Sequence, residues 1–433
     1  MNIKNILKNK TALNAGWIIG EQIFQMFMSL VVGVLSARYL GPSNYGTLNY
    51  TASFVSFFMS IATLGMEGVV IKKIIAAPEK EGDYLGSCIC FRLVSSFLSI
   101  ITISLIVYVL NPTEPVKLLL VLPQSLQLVF RAFHVFNSWF QRHLKSKYVS
   151  LGKMIACILV SSYKIFLLAT QKSIFWFAFS NSLTDLIIVA LLYLFYKKEN
   201  DQKLRCKISL GKEVLSESYH FILSGLMVAI YSQMDKIMIG SMLTDIDVGF
   251  YTTATAISNM WIFVPTAIIN SFRPTILELK QQGKEVGYIR RLKQLYSGII
   301  YLCIFVSFAI CLLANPIIRI LYGEAYMGAI SILQIAIWFE TFSMIGTARG
   351  IWILGENKNK YVKYYLGIGA VVNLILNTLM IPTLGAKGAA IATLITEIAT
   401  SIIAPMLFKE TRIHTKYVLD AFLLNWYFKK EED

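Results

Sequence analysis

Charged residues stand inside long apolar stretches of this sequence, where an ionised side chain is unfavourable. Glu21, Arg131 and Asp235 each lie on a stripe of polar residues that recurs at helical spacing. Because a charge in hydrocarbon costs about 2.5 to 3.5 kcal/mol on the insertion scale, these stripes are expected to face the interior of a helix bundle. They predict a water-filled cavity with charged walls, and structural ion pairs within the bundle are the alternative.

Five carboxylates fall within apolar stretches, where such a group can exchange a proton or bind a cation. They are Glu21, Asp185, Asp235, Glu340 and Glu397. We favour Glu21 and Asp235 as candidates for coupling to H+ or Na+, because both lie on polar stripes. The adjacent Lys236 does not establish an ion pair with Asp235, since neighbours on a helix do not face each other. A structural ion pair remains an open alternative for both.

The elements that carry these residues are long and apolar. Of the 433 residues, 56% are hydrophobic and 15% are charged, with a mean hydropathy of +0.61, whereas soluble domains carry about 25% charged residues. Twelve stretches of the sequence are long enough to cross the hydrocarbon core as helices, which satisfy their own backbone hydrogen bonds. They are approximately 12–36, 45–66, 84–110, 116–137, 148–170, 174–196, 219–243, 250–272, 294–314, 329–352, 361–381 and 387–408. A short turn at 38–45, around Gly41 and Pro42, separates the first two.

The net charge of +15 is sorted by loop and does not form a nucleic-acid-binding patch. If the N-terminus is cytoplasmic, 31 of the 40 basic residues fall on the cytoplasmic side of the predicted spans and five on the other side. This asymmetry follows the positive-inside rule. It predicts a multi-pass protein of the cytoplasmic (inner) membrane with both termini in the cytoplasm, and no nucleic-acid partner.

A weak internal repeat divides the sequence into two halves. A shift of 203 residues places LGPSNYG (40–46) over LTDIDVG (243–249), and KSKYV (145–149) recurs as KNKYV (358–362). Six spans per half return the chain to its starting side, so both halves enter the membrane in the same orientation. The sequence therefore predicts an all-α polytopic membrane protein of twelve transmembrane helices, in two six-helix bundles related by a pseudo-twofold axis along the membrane normal. The predicted regions are an N-terminal bundle at 1–200, a cytoplasmic linker at 201–218, a C-terminal bundle at 219–410 and a cytoplasmic or interfacial tail at 411–433.

No pattern in the sequence indicates catalysis, a metal site or a bound cofactor. The four histidines are scattered, and the six cysteines lie in spans or in a cytoplasmic loop without the spacing of zinc ligands. There is also no phosphate-binding glycine loop and no nucleophile motif. We therefore expect a protein that positions its ligand, with no catalytic residue, metal or cofactor, and not an enzyme.

Several segments make the sequence resemble a known family of membrane proteins. They are ARYLGPSNYG (37–46), DKIMIGSML (235–243), VGFYTTATAI (248–257), FVPTAIINSFRPTILE (263–278) and NLILNTLMIPTLGAKGAAIAT (373–393). In these segments and in their order, the sequence resembles the O-antigen and polysaccharide flippases. That family is a branch of the multidrug/oligosaccharidyl-lipid/polysaccharide exporter superfamily.

The resemblance implies two six-helix bundles around a central cavity that opens alternately to each side of the membrane. The cargo would be an oligosaccharide repeat unit on undecaprenyl pyrophosphate, flipped from the inner to the outer leaflet for cell-surface polysaccharide biosynthesis. The other partners that it implies are membrane lipid, H+ or Na+, a polysaccharide polymerase and glycosyltransferases.

Basic residues would bind the pyrophosphate in such a protein, because guanidinium groups suit bidentate phosphate contacts. The candidates are Arg38, Arg92, Arg131, Lys164, Arg273 and Arg349. Arg92 and Arg131 lie in the cytoplasmic halves of their spans and would capture cargo from the inner leaflet. For Arg273 and Arg349, at the ends of spans, positive-inside anchoring is an equal alternative. Lys164 lies deep in a span but has a stem long enough to extend outward, and Arg38 would contact cargo on exit or cap the outer turn.

Two other functions stay open on the sequence. A multidrug or cation antiporter of the same superfamily would share the architecture and would be favoured by an acidic cavity, whereas charges of both signs occur here. A membrane glycan polymerase or ligase usually needs a large outer loop with catalytic groups, but the longest predicted outer loop, 315–328, contains one Arg and one Glu. The flippase is the favoured function, the antiporter is the alternative, and the enzyme is the weakest of the three.

Overall fold

The chain folds almost entirely into helices, as its apolar stretches predict. The structure is a computed structural model that describes the backbone of residues 10–200 and 202–424, and within these ranges the side chains of Trp17 and of all residues from Gly20 onward. Eleven helical segments in the described chain are long and apolar enough to cross a membrane. The first, Gly20–Ala76, contains two of the predicted spans, so the segments account for all twelve.

The α-helices of the described residues are numbered here in chain order. They are α1 (Lys10–Ala62), α2 (Glu67–Ala76), α3 (Glu81–Leu110), α4 (Pro115–Arg131), α5 (Phe136–Arg142), α6 (Ser146–Ala169), α7 (Ile174–Glu199), α8 (Ile208–Met242), α9 (Asp245–Met260), α10 (Phe263–Gln281), α11 (Glu285–Leu321), α12 (Ala329–Gly355), α13 (Val362–Leu384), α14 (Ala386–Ile398), α15 (Ala404–Leu407) and α16 (Arg412–Phe422). Short 3₁₀ turns occur at Pro78–Lys80, Ala132–Val135, Glu324–Tyr326 and Asn359–Tyr361, and a π-helical turn at Ala399–Ile403.

α1 is divided into two helical segments by a single residue. Gly41 has φ 69° and ψ 168°, a backbone conformation that is essentially restricted to glycine. A straight helix of 53 residues would be about 80 Å long, far longer than the hydrocarbon core is thick, so the chain must turn here. The predicted turn at 38–45 is therefore too long: the turn is confined to Gly41, and the residues on both sides of it are helical.

Two further helix connections use the same glycine conformation. Gly323 (φ 88°, ψ 178°) follows α11, and Gly385 (φ 64°, ψ −150°) is the single residue between α13 and α14. Near Gly385 the two backbones approach so closely that a Cβ on Gly388 would lie 2.2 Å from Met380 O. Turns of this kind let long apolar helices follow one another without an extended loop.

Three predicted spans contain irregular turns that the apolar pattern does not reveal. The fourth passes from α4 through the 3₁₀ turn Ala132–Val135 into α5, and the eighth is interrupted between α9 and α10. The twelfth contains the π-helical turn Ala399–Ile403. Irregular turns change the backbone hydrogen-bond pattern, so main-chain carbonyls become available to side chains.

The described chain forms two compact units, one up to Gln233 and one from Met234 onward. The first has a hydrophobic core around Leu85 and Phe136, and the second has one around Tyr296 and Trp352. The boundary between the units lies inside α8. The predicted bundles, linker and tail, and their pseudo-twofold relation, stay predictions.

The segment between α7 and α8 lies along the N-terminal end of α3, within the first unit. Arg205 N donates to Gly82 O at 3.4 Å, and Lys207 N donates to Ser87 Oγ at 2.8 Å. A Cβ on Gly86 would lie 2.6 Å from Arg205 O, so this close approach requires glycine. Residues 202–207 therefore form an ordered strap on α3.

α16 packs against α11 in the second unit. Ser297 Oγ donates to Ala421 O at 2.8 Å, and Lys293 Nζ lies 3.2 Å from Asp420 Oδ2. α16 lies within the cytoplasmic or interfacial tail predicted at 411–433, and the residues of that tail from 425 onward lie outside the described residues.

His414 fixes the buried face of α16. It is fully buried, and its ring centroid lies 5.4 Å from those of both Tyr296 and Trp352. Burial, together with the nearby Arg349 guanidinium, holds the pKa of His414 well below its usual range. The imidazole is therefore neutral in the folded protein at neutral pH.

Gly41→Ala is expected to destabilise the protein by about 1 to 3 kcal/mol, because a Cβ is strained at this φ and ψ. Gly33→Ala is the matched control: Gly33 is helical, and a Cβ there would meet no atom within 4 Å. The measurement is the thermal unfolding midpoint of each purified variant in one detergent. Equal midpoints for the two variants would contradict the proposed role of Gly41.

Acidification should lower the stability of the protein partly because the folded state disfavours protonation of His414. The folded-state pKa lies below the unfolded value of about 6.5, so this contribution is complete above pH 6.5 and decreases by up to about 1.4 kcal/mol per pH unit below it. His414→Phe removes the titrating group and should flatten the dependence of the unfolding midpoint on pH between neutral and mildly acidic buffers. His220→Phe, at an exposed position, should keep the wild-type dependence. The same pH profile in all three proteins would count against this assignment.

Candidate functional site

Arg131 is the predicted cargo residue with a partly exposed guanidinium and a fixed partner. Its Nε donates to both carboxylate oxygens of Asp185, at 3.2 and 3.1 Å, and Nε2 of His134 lies 3.2 Å from Oδ1 of the same carboxylate. The Asp185 side chain is 4% exposed, whereas that of Arg131 is 42% exposed. We call these three residues the Arg131 site. Within the described chain both hydrogen bonds of Arg131 come from Nε, so its two terminal amino groups remain for another acceptor.

The helices α4 and α7 place the Arg131 site in the first unit. Arg131 is the last residue of α4, and His134 lies in the 3₁₀ turn that follows. Asp185 lies on α7 one turn after Ser182, whose Oγ donates to Gln124 O of α4 at 3.2 Å. Residues three apart on a helix share a face. One face of α7 therefore contacts the backbone of α4 through Ser182 and the side chain of Arg131, at the end of α4, through Asp185.

Arg92 lies on α3 in the same unit and is fully buried. None of its three guanidinium nitrogens has a hydrogen-bond partner among the residues that the structure describes. The neighbouring Ser95 and Ser96 donate to Ile61 O and Leu128 O, both at 2.9 Å, so this part of α3 is packed against α1 and α4. A buried, unpaired guanidinium is unfavourable and would gain strongly from an anion.

Asp235 is the centre of a buried polar network in the second unit. Its Oδ1 accepts from Nδ2 of Asn373 at 3.2 Å and of Asn377 at 2.6 Å, and its Oδ2 accepts from Thr393 Oγ1 at 2.7 Å and from the Tyr251 hydroxyl. We call these five residues the Asp235 site. Four helices, α8, α9, α13 and α14, contribute to it, and the hydrogen bonds that the carboxylate accepts within the described chain come from neutral groups.

Glu21, the other coupling candidate, has a different environment. It is buried on α1, and Lys153 Nζ of α6 lies 3.6 Å from its Oε2. This contact is the structural ion pair that the sequence left open as an alternative. Glu340 on α12 and Glu397 on α14 are also buried, both in the second unit.

The remaining basic candidates lie apart from the Arg131 site. Arg349 is buried on α12, where Nη1 donates to Thr400 O in the π-helical turn at 2.6 Å and the guanidinium lies 4.4 Å from the centre of the Tyr365 ring. Arg273 is exposed on α10, Lys164 is half-buried on α6, and Arg38 is exposed on α1. The binding roles of these residues stay predictions.

The sequence indicates the charged centres but not their partners. Asp185 is predicted only as one of five carboxylates within apolar stretches, and its contact with Arg131 is not predicted. Asn373 and Asn377 were visible as two amides one turn apart in an apolar span, a spacing that places both on one helical face. That spacing was the available signal for the Asp235 site.

The sequence is similar to proteins whose family is known. A sequence model of the family described as polysaccharide biosynthesis protein matches residues 12–280. The probable flippase AglR of Haloferax volcanii is 27% identical over 177 residues, which are 40% of this chain and 37% of AglR. The probable low-salt glycan biosynthesis flippase Agl15 of the same organism is 23% identical over 368 residues, 82% of this chain and 75% of Agl15. The matched part therefore spans little more than a third of AglR and three quarters of Agl15.

The fold matches that of a solved membrane protein. The lipid II flippase MurJ in its inward closed conformation has a TM-score of 0.73 to this chain, over 97% of this chain and 93% of MurJ, with 16% identity. At this identity the similarity concerns the fold alone. It confirms the predicted class, an all-α polytopic membrane protein.

Proposed function

The chain belongs to the polysaccharide biosynthesis protein family, and on this premise we propose that it is a flippase for lipid-linked oligosaccharides. The proposed cargo is an oligosaccharide repeat unit on undecaprenyl pyrophosphate, moved from the inner to the outer leaflet of the cytoplasmic membrane by alternating access. The product would enter cell-surface polysaccharide biosynthesis. The similarity to AglR and Agl15, both described as probable flippases, supports this proposal.

The observation that carries the proposal is the Arg131 guanidinium. A lipid-linked sugar has an anionic pyrophosphate, a polar glycan and a hydrocarbon tail, so a carrier must supply positive charge within the membrane while the tail stays in lipid. Arg131 is 42% exposed at the end of a membrane-spanning helix, and Asp185 occupies only its Nε. The two terminal amino groups match two phosphate oxygens, as in other bidentate guanidinium contacts.

Arg92 is proposed as a second phosphate contact in another conformation of the protein. Its guanidinium is buried and lacks a hydrogen-bond partner in the described chain. Because alternating access changes which surfaces are open, a group that is unfavourable in one state can be stabilised by cargo in another. Arg38, Lys164, Arg273 and Arg349 remain weaker candidates on the cargo path.

The Asp235 site is proposed to couple transport to a proton or sodium gradient. Carboxylate and hydroxyl oxygens are ligands for hard cations, and both types are present at this site, in Asp235, Thr393 and Tyr251. A proton on Asp235 would neutralise the same charge. Glu21 is the less favoured coupling group, because Lys153 already lies beside it.

The cellular setting follows from the same proposal. The protein would lie in the cytoplasmic membrane with both termini in the cytoplasm, and it would receive cargo from glycosyltransferases and deliver it to a polymerase. An antiporter of the same superfamily is the alternative, and a test with lipid-linked sugar separates the two. An enzymatic role is not proposed, since the connection that follows α11 is confined to 322–328.

Arg131→Ala should lower cargo flux by weakening the affinity of the protein for its cargo. Loss of two charge-assisted hydrogen bonds should raise the apparent KM about 10- to 100-fold, and Arg131→Lys, which keeps the charge without the fork, should fall between. The measurement uses proteoliposomes that contain undecaprenyl-pyrophosphate oligosaccharide, with the sugar exposed on each leaflet counted by an impermeant lectin. Arg319→Ala, an exposed residue paired with Glu324, is the control and should transport normally. Wild-type flux in Arg131→Ala, or no flux in the wild type, would refute the proposal.

Asp235→Asn should uncouple transport from the ion gradient, because it removes the charge that an exchanged ion neutralises. In the same proteoliposomes, flux through the wild type should rise when a proton or sodium gradient is imposed, and flux through Asp235→Asn should not respond. Glu324→Gln, an exposed carboxylate, should respond like the wild type. A wild type that ignores both gradients would remove the case for coupling and leave the cargo proposal standing.

A further inference from the structure

The contacts of Asp185 differ from those of an ordinary structural ion pair. Both carboxylate oxygens accept from one atom, Arg131 Nε, while the side chain that carries the positive charge is 42% exposed and the carboxylate is 4% exposed. An ion pair that served packing alone would be expected to bury both partners or to engage the terminal amino groups as well. Here the carboxylate holds the base of the guanidinium and leaves its outer end accessible.

The surroundings of Asp185 restrict its movement. Ser182, one turn earlier on α7, donates to Gln124 O, and its oxygen also contacts Pro123 O within α4. His134, which is buried, lies with Nε2 3.2 Å from Asp185 Oδ1. The carboxylate is therefore fixed relative to the helix that carries the cation.

We infer that Asp185 is a positioning residue for Arg131: it orients the guanidinium so that the two terminal amino groups present themselves to a phosphate of the cargo. This inference rests on the proposed function. Asp185 itself would not contact the cargo. A free arginine side chain has several rotatable bonds, and fixing Nε removes most of that freedom before the phosphate arrives, which is preorganisation of a binding group.

Exchanging the two charges tests whether the ion pair has only a structural role. In the double variant Arg131→Asp with Asp185→Arg, the ion pair is kept, but the cation sits on α7 and the outer end of α4 carries a carboxylate. If the pair only supports the fold and neither residue serves cargo binding, the double variant should regain both the unfolding midpoint and transport. If Asp185 positions Arg131 for phosphate, the double variant should regain the midpoint but remain inactive.

The kinetic test uses full-length protein in the proteoliposome assay, with thermal unfolding of each variant measured in parallel. Asp185→Asn keeps the shape but weakens the hold on Nε, so the apparent KM for undecaprenyl-pyrophosphate oligosaccharide should rise about tenfold with little change in maximal flux. Asp185→Glu keeps the charge and should recover part of the affinity. Asp420→Asn, which removes an ion pair with Lys293 in the other unit, should leave the KM unchanged.

Each result bears on the inference. A raised KM with a near-wild-type midpoint in Asp185→Asn, and an inactive but folded double variant, support it. An unchanged KM in Asp185→Asn overturns it, while wild-type flux and a raised KM in Arg131→Ala keep the proposed function. Transport by the double variant overturns the cargo role of Arg131 and this inference together. If Asp185→Asn does not fold, the KM of Asp185→Glu decides the question: a raised value supports the inference and a wild-type value overturns it. A wild type that moves no cargo overturns the proposed function and this inference together.

Discussion

An ionised side chain inside an apolar helix bundle must be compensated, and the environments of Asp185, Glu21 and Asp235 are organised by that requirement. A buried charge without a partner costs several kcal/mol, so helices pack in registers that bring partners together. Asp185 is compensated by Arg131, and Glu21 by Lys153. Asp235 is compensated differently, by four neutral donors within the described chain. Neutral donors stabilise a carboxylate but leave its net charge in place, which is the physical basis for proposing an exchangeable ion there.

The glycine turns determine which helices are available for these pairings. At Gly41 and Gly385 the chain leaves one helix and enters the next within a single residue, whose backbone conformation other residues seldom adopt. Because such turns add almost no loop, consecutive helices are forced together and their apolar faces bury each other. The polar faces are then left to meet helices that are distant in sequence, and the charged sites form at those contacts.

The difference between local helix formation and contacts between distant helices explains what the sequence could and could not predict. The spans were predictable because the length and apolar content of a stretch are local properties, and the glycine turn at Gly41 was visible for the same reason. The interruption between α9 and α10 was not predictable, since apolar residues continue across it. The partners of Arg131 and Asp235 lie 54 to 158 positions away, except for Tyr251, and pairing at that distance depends on packing that no local pattern encodes. The paired amides Asn373 and Asn377 were the partial exception, because two polar groups one turn apart in an apolar span indicate a partner without identifying it.

α8 is held by different interactions in its two parts. It is one continuous helix, Ile208–Met242, and the boundary between the compact units falls within it, just before Asp235. Its N-terminal part is held in the first unit by ion pairs of Glu213 and Glu217 with Lys73, and Ser60 Oγ donates to Gly225 O at 3.1 Å. Its C-terminal part is held in the second unit by the hydrogen bonds that Asp235 accepts from the neutral side chains of the Asp235 site. The two parts of α8 are therefore held by different interactions, charged partners in the first unit and neutral donors in the second, and only at the second is the net charge left in place.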